Sequence, residues 1–227
     1  MTWLKDQAQE KIESHGYKGV IADWDKFTLL SHSASGHVYA QRLNDTCSDN
    51  AKLLILLDPV DGFDPFGIIH DNIVPDPPAK LPFIMPTLII ATHMSDTGVL
   101  IAPACTDPKL SNLHFYNGLA GPTWFVRFEE YGHADLLTSP LSKLAPVCKG
   151  CSDCVFKLGD YHEATTILID TFVRGIFDKN TEAIDAIQNP TDLIPGYKLF
   201  SEYDMHGHDP LEGGYCKRAD VMEAVIN

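Results

Sequence analysis

Short, mostly apolar runs alternate along this chain with longer stretches in which apolar residues recur every three or four positions. Phe27-Thr28-Leu29-Leu30, Leu53 to Leu57, Thr87 to Ala91 and Trp124 to Phe128 have strand length and are apolar enough to suit buried strands. Helical spacing predicts a first helix over Trp3–His15, closed by Gly16. A second runs through Val38, Tyr39, Gln41 and Leu43 to about Asn44. A third, from about Tyr161 to Phe177, places Ala164, Ile167, Leu168, Phe172 and Ile176 on one face. The order strand, helix, strand, long loop, strand, strand, helix predicts an α/β protein with a mostly parallel sheet flanked by helices. In such sheets the functional groups gather at the carboxyl ends of the strands. The pattern fades after Pro190, which divides the chain into a domain over residues 1–190 and a poorly defined tail over 191–227. No internal repeat is visible.

Composition narrows the partners. A chain of 227 residues, 44 % hydrophobic and 21 % charged, suffices for one domain with a sizeable core. Lys and Arg number 17 against 31 Asp and Glu, a formal net charge of −14. Such a surface repels phosphate backbones, which argues against nucleic acid and for a small, weakly charged ligand. No apolar run reaches the ~18 residues of a membrane span. The start, Met1-Thr2-Trp3-Leu4-Lys5-Asp6-Gln7, is that of an amphipathic helix, not of a signal peptide. Six cysteines, at 47, 105, 148, 151, 154 and 216, permit a disulfide set and are compatible with secretion; the sequence assigns no compartment. Cys148-x-x-Cys151-x-x-Cys154 lacks a nearby fourth cysteine, and His206-Gly207-His208 has the character of a solvated loop, so no metal or cofactor is assigned. A small cysteine-rich metal protein is the weakest of the functional alternatives.

Reactive side chains sit just beyond the apolar runs. Ser31-His32-Ser33-Ala34-Ser35-Gly36 joins the first strand to the second helix, where a nucleophile elbow of G-x-S-x-G type would lie. Serines replace both glycines, and the bland alternative is a polar turn with a helix cap. A serine hydroxyl needs a base to become a nucleophile. His133, in Tyr131-Gly132-His133, follows the fourth strand and suits that role, accepting the Ser33 proton and returning it to the leaving alcohol. Three carboxylates compete as the acid: Asp58 at the end of the second strand, Asp61 three residues on, and Asp96 after the third strand. The residues by themselves do not choose among them.

The segments Ser31-His32-Ser33-Ala34-Ser35-Gly36, Leu57-Asp58-Pro59-Val60-Asp61-Gly62 and Tyr131-Gly132-His133-Ala134-Asp135-Leu136-Leu137 resemble, in order, the Gly-His-Ser-Arg-Gly-Gly, Ile-Asp-Pro-Val and Tyr-Gly-His-x-Asp-x-Leu segments of chlorophyllases. Ala102-Pro103-Ala104-Cys105 and Asn112-Leu113-His114-Phe115-Tyr116 resemble two further segments of that family, and the likeness runs from about Trp3 to Phe177. The resemblance implies an α/β-hydrolase fold, with Ser33 as nucleophile, Asp58 as acid and His133 as base. It also implies cleavage of an apolar carboxylic ester, chlorophyll's phytyl ester being the family substrate. The backbone N–H of Ala34, which stands where the family has arginine, is the expected oxyanion donor. The apolar residues of the loop from Phe63 to Met85 are either satellite core or one wall of a pocket for a long-chain ester. The competing function is a pigment- or lipid-binding homologue that does not turn over.

Only about thirty residues precede Ser33, room for one helix and one strand. An α/β hydrolase places several strands before its nucleophile strand, and a loop after the third carries a second oxyanion donor. The sequence therefore predicts a partial α/β-hydrolase fold with the first strands missing, from an incomplete gene model or fragment, and the Ser33 strand at an exposed sheet edge.

Overall fold

In the computed structural model of the chain, which describes residues 2–47, 51–62, 72–96, 104–107, 109–137, 158–211 and 217–218, the apolar runs become strands of one sheet. The elements in order are α1 (Thr2–Ser14), β1 (Thr28–His32), α2 (Ser35–Thr46), β2 (Leu53–Leu57), β3 (Phe83–Ile84), β4 (Thr87–Thr92), α3 (Leu113–Gly118), β5 (Thr123–Phe128), α4 (Leu158–Phe177), α5 (Thr181–Gln188), α6 (Pro190–Leu193), β6 (Leu199–Asp204) and β7 (Lys217–Arg218). The main sheet has the order β1-β2-β4-β5-β6; β3 and β7 form a separate antiparallel pair. β1, β2, β4 and β5 are parallel, with Leu30 opposite Ile55, Leu56 opposite Ile89 and Ile90 opposite Val126.

Two layers cover the sheet, and strand geometry sorts the side chains between them. Leu54, Leu56, Ile89, Ala91 and Phe125 face α2, α3 and the segment from Val74 to Met85. Leu53, Ile55, Leu88, Ile90, Trp124 and Val126 face α4 and α5. Successive strand residues point to opposite faces, so a five-residue run such as β2 must be apolar throughout to satisfy both layers. α4 meets its layer through Tyr161, Ala164, Leu168, Phe172 and Ile176, a helical stripe in which Phe172 packs edge-on to Trp124 at 5.3 Å between ring centres.

The structure adds elements that the periodicity leaves out, among them α3, α5 and the β3–β7 pair. Residues beyond Pro190, read from the sequence as tail, supply α6 and then β6, which pairs antiparallel with β5 from Thr123–Asp204 to Phe128–Leu199. β6 is largely exposed, so its apolar signal is weak; Phe200 and Tyr203 are among its exposed residues. At the other end of the described sheet lies β1, with Leu30 44 % exposed. Among the described residues no helix is long and apolar enough to cross a membrane.

Candidate active site

Each candidate side chain is delivered by the end of a strand. β1 runs into a tight turn at Ser33, whose φ of 61° lies in the left-handed region that non-glycine residues seldom adopt. Such strain persists only where neighbours hold it, and they do so here. Ser33 N–H donates to Leu57 O at 3.1 Å, while Ser33 O accepts from Gly36 N at 2.9 Å and Val60 N at 3.2 Å. The Ser35 hydroxyl, in place of a glycine, closes the turn by accepting from His32 N at 3.0 Å and donating to His32 O at 2.6 Å. Gly36 supplies the close approach: a Cβ there would lie 2.9 Å from Pro59 Cβ. Ser31 is less well accommodated, with its hydroxyl buried and without a hydrogen-bond partner.

β2 ends in Asp58, also at positive φ (44°), and its carboxylate is fully buried. A buried carboxylate is costly unless its lone pairs are met. Thr92 donates twice, through N–H to Oδ1 and through its hydroxyl to Oδ2, both at 2.8 Å, and Asn112 Nδ2 donates to Oδ1 at 3.0 Å. The remaining neighbour is His133, whose Nδ1 lies 2.7 Å from Asp58 Oδ2 and whose Nε2 lies 2.8 Å from Ser33 Oγ. A carboxylate accepts only, so Nδ1 carries the proton and Nε2 of the neutral ring is left as an acceptor facing the Ser33 hydroxyl. The ring is held in a 3-10 turn, His133–Leu136, after β5, where the Asp135 carboxylate accepts from Gly132 N at 2.8 Å.

The other carboxylates named from the sequence point elsewhere. Asp61 is fully buried and accepts from Ile73 N, Val74 N and His37 Nδ1 at 3.1, 2.8 and 2.9 Å; His114 Nε2 stands 3.7 Å away. Its proximity raises the pKa of His114 against the opposing effect of burial. Asp96 accepts from Thr106 Oγ1 at 3.1 Å and lies 3.3 Å from His93 Nδ1; burial raises its pKa. Among the described residues, the carboxylate within hydrogen-bond reach of His133 is that of Asp58. Val74, Leu81, Phe83 and Met85 of the long loop are buried in the core, which leaves them no free surface for a ligand; Phe63 to Asp71 lie outside the described residues. Cys47 and Cys105 are in disulfides, whereas Cys148, Cys151, Cys154 and Cys216 lie outside the described residues.

Sequence reasoning missed Thr92 and the task of Asn112. Thr92 had a faint signal, a polar residue closing the apolar run of β4. Asn112 lies in a segment the family resemblance singled out, but nothing in its own surroundings ties it to Asp58, which it reaches through the pairing of Val60 with Ser111 and the 2.8 Å bond from Asp61 N to Leu110 O.

A mostly parallel sheet flanked by helices, with a serine on a strained strand-to-helix turn, has the α/β fold of the α/β hydrolases. Residues 1–200 match the sequence model of the chlorophyllase family, and the chain belongs to that family. No curated protein matches it at a significant level. Membership suggests a chlorophyllase-like hydrolase.

Proposed function

We propose that this protein is a serine carboxylic ester hydrolase acting on an apolar ester, with Ser33 as nucleophile, His133 as general base and acid, and Asp58 as the acid of the triad. The observation that supports this reading is the unbroken run of short contacts from Ser33 Oγ through His133 to Asp58, 2.8 and 2.7 Å. His133 Nε2 takes the proton as Ser33 Oγ attacks the ester carbonyl. The imidazolium that forms is stabilised by the buried Asp58 carboxylate. The N–H of Ala34 precedes the first turn of α2, where backbone donors lack intrahelical acceptors, and it donates to the developing oxyanion. Collapse breaks the ester C–O bond, and His133 passes its proton to the leaving alcohol. Water, deprotonated by the same imidazole, then releases the acid and restores Ser33.

Within the family, the apolar alcohol of the substrate is phytol and the acid is chlorophyllide; an uncharged tail of that kind suits a chain of net charge −14. Ser33→Ala is expected to lower kcat toward chlorophyll or a p-nitrophenyl ester by at least about 10³-fold and to abolish labelling by a fluorophosphonate. Undiminished turnover in Ser33→Ala would sink the mechanism. Pigment binding by the unaltered protein with no turnover and no labelling would indicate a binding homologue instead.

A further inference from the structure

His32 belongs to none of the roles above, yet it makes two contacts with the proposed base. Its ring stacks on that of His133, with centres 4.6 Å apart and planes 30° apart, within the range of favourable ring pairs. Its Nε2 also lies 3.2 Å from the backbone oxygen of His133; a carbonyl accepts, so Nε2–H donates. One side chain thus grips both the peptide and the ring of the same histidine. Its own backbone is doubly fixed, because the Ser35 hydroxyl engages both His32 N and His32 O. Its strand register is fixed too, with His32 opposite Leu57, one residue before Asp58.

The sheet order explains why such a grip matters. Ser33 and Asp58 follow adjacent strands, β1 and β2, and the backbone bond from Ser33 N to Leu57 O ties them together. His133 arrives from beyond β5, with β2 and β4 lying between β5 and β1. The strand hydrogen bonds fix its distance from β1 only through two intervening strands. We infer that His32 is a positioning residue which, resting on the triad reading above, holds the His133 imidazole in register with Ser33 by joining the end of β1 directly to the turn after β5. Burial first, and His133 next, lower the pKa of His32. A neutral ring in that place adds no like-charge repulsion to the imidazolium formed during turnover.

The test uses the whole protein and three variants. His32→Phe keeps a flat ring without the donor, His32→Gln keeps a donor at similar reach without the ring, and His32→Ala removes both. His32→Ala is expected to lower kcat by about 10- to 100-fold with KM within about twofold, as misplacement of a reacting group by about an ångström does. His32→Phe and His32→Gln should each recover part of that loss. Independently of turnover, the proton shared by His133 Nδ1 and Asp58 should give a downfield proton resonance that broadens or shifts in His32→Ala and is restored in part in the other two. An unchanged resonance in His32→Ala, or wild-type kcat in that variant where Ser33→Ala is inactive, overturns the inference. Undiminished activity in Ser33→Ala refutes the triad instead, and the resonance still decides the place of His32.

Discussion

Asp58 has no exposed surface, and its four contacts, two from Thr92, one from Asn112 and one from His133, leave its oxygens fully engaged. Asn112 makes its contact from a backbone at φ 35° and ψ −93°, a conformation that local sequence does not favour and that neighbouring contacts must impose. Asn112→Ala frees one lone pair of Asp58 to turn, so kcat is expected to fall about 10-fold or more through misalignment of His133, measurable by steady-state kinetics with circular dichroism to confirm the fold. Ser31 gives the opposite case. Its buried hydroxyl has no partner, so Ser31→Ala should raise stability by about 1 kcal/mol, read as a later denaturant midpoint at constant m-value. A midpoint that moves earlier would show instead that the Ser31 hydroxyl contributes to the turn.

At the scale of elements, α4 is the brace behind the site. Phe172 is fully buried against Trp124, and Tyr161, on the same stripe, stacks on Tyr131 at 4.1 Å and 10°, directly before the Gly132-His133 turn. The helix therefore supports both the sheet and the segment that carries His133, the proposed base. Phe172→Ala leaves a ring-sized void in a layer with little room to relax, and a loss of about 3–5 kcal/mol in unfolding free energy is expected from chemical denaturation. The short segment Ile73–Val74 is a different kind of element, held by hydrogen bonds to one buried carboxylate, Asp61, more than by its own periodicity. His114 stands beside that carboxylate and also donates from Nε2 to Val74 O at 3.0 Å.

For the molecule as a whole, that anchor predicts a pH dependence of stability. His114 is raised in the folded protein from the ordinary value of 6.5, chiefly by Asp61, so the folded state holds its proton more tightly than the unfolded chain does. The stabilisation is complete below about pH 6.5 and disappears as the pH rises through the folded value above it. Denaturant midpoints of the wild type should carry this decline on the alkaline side, and His114→Gln should lack it; an equal slope in both proteins would remove His114 from the account. Much of this whole was legible in the amino-acid order. Apolar runs such as Leu53–Leu57 and Leu88–Ala91, of strand length and bounded by Asp, Pro or polar residues, suit strands with cover on both faces, and their alternation with helical spacing carried the α/β reading. The turns after them identified Ser33, Asp58 and His133 as candidates. What the order left open were matters of long-range contact. Asp58, Asp61 and Asp96 all follow or adjoin buried strands, and only the crossing of the 110–112 segment over the end of β2 directs Asn112 onto Asp58 and leaves Asp61 to His37 and the Val74 backbone. β6 was hidden because a largely exposed strand at the end of the described sheet needs few apolar residues. Local pattern records what each residue must bury; which distant group meets it is decided when the strands pair and the loops pack across their ends.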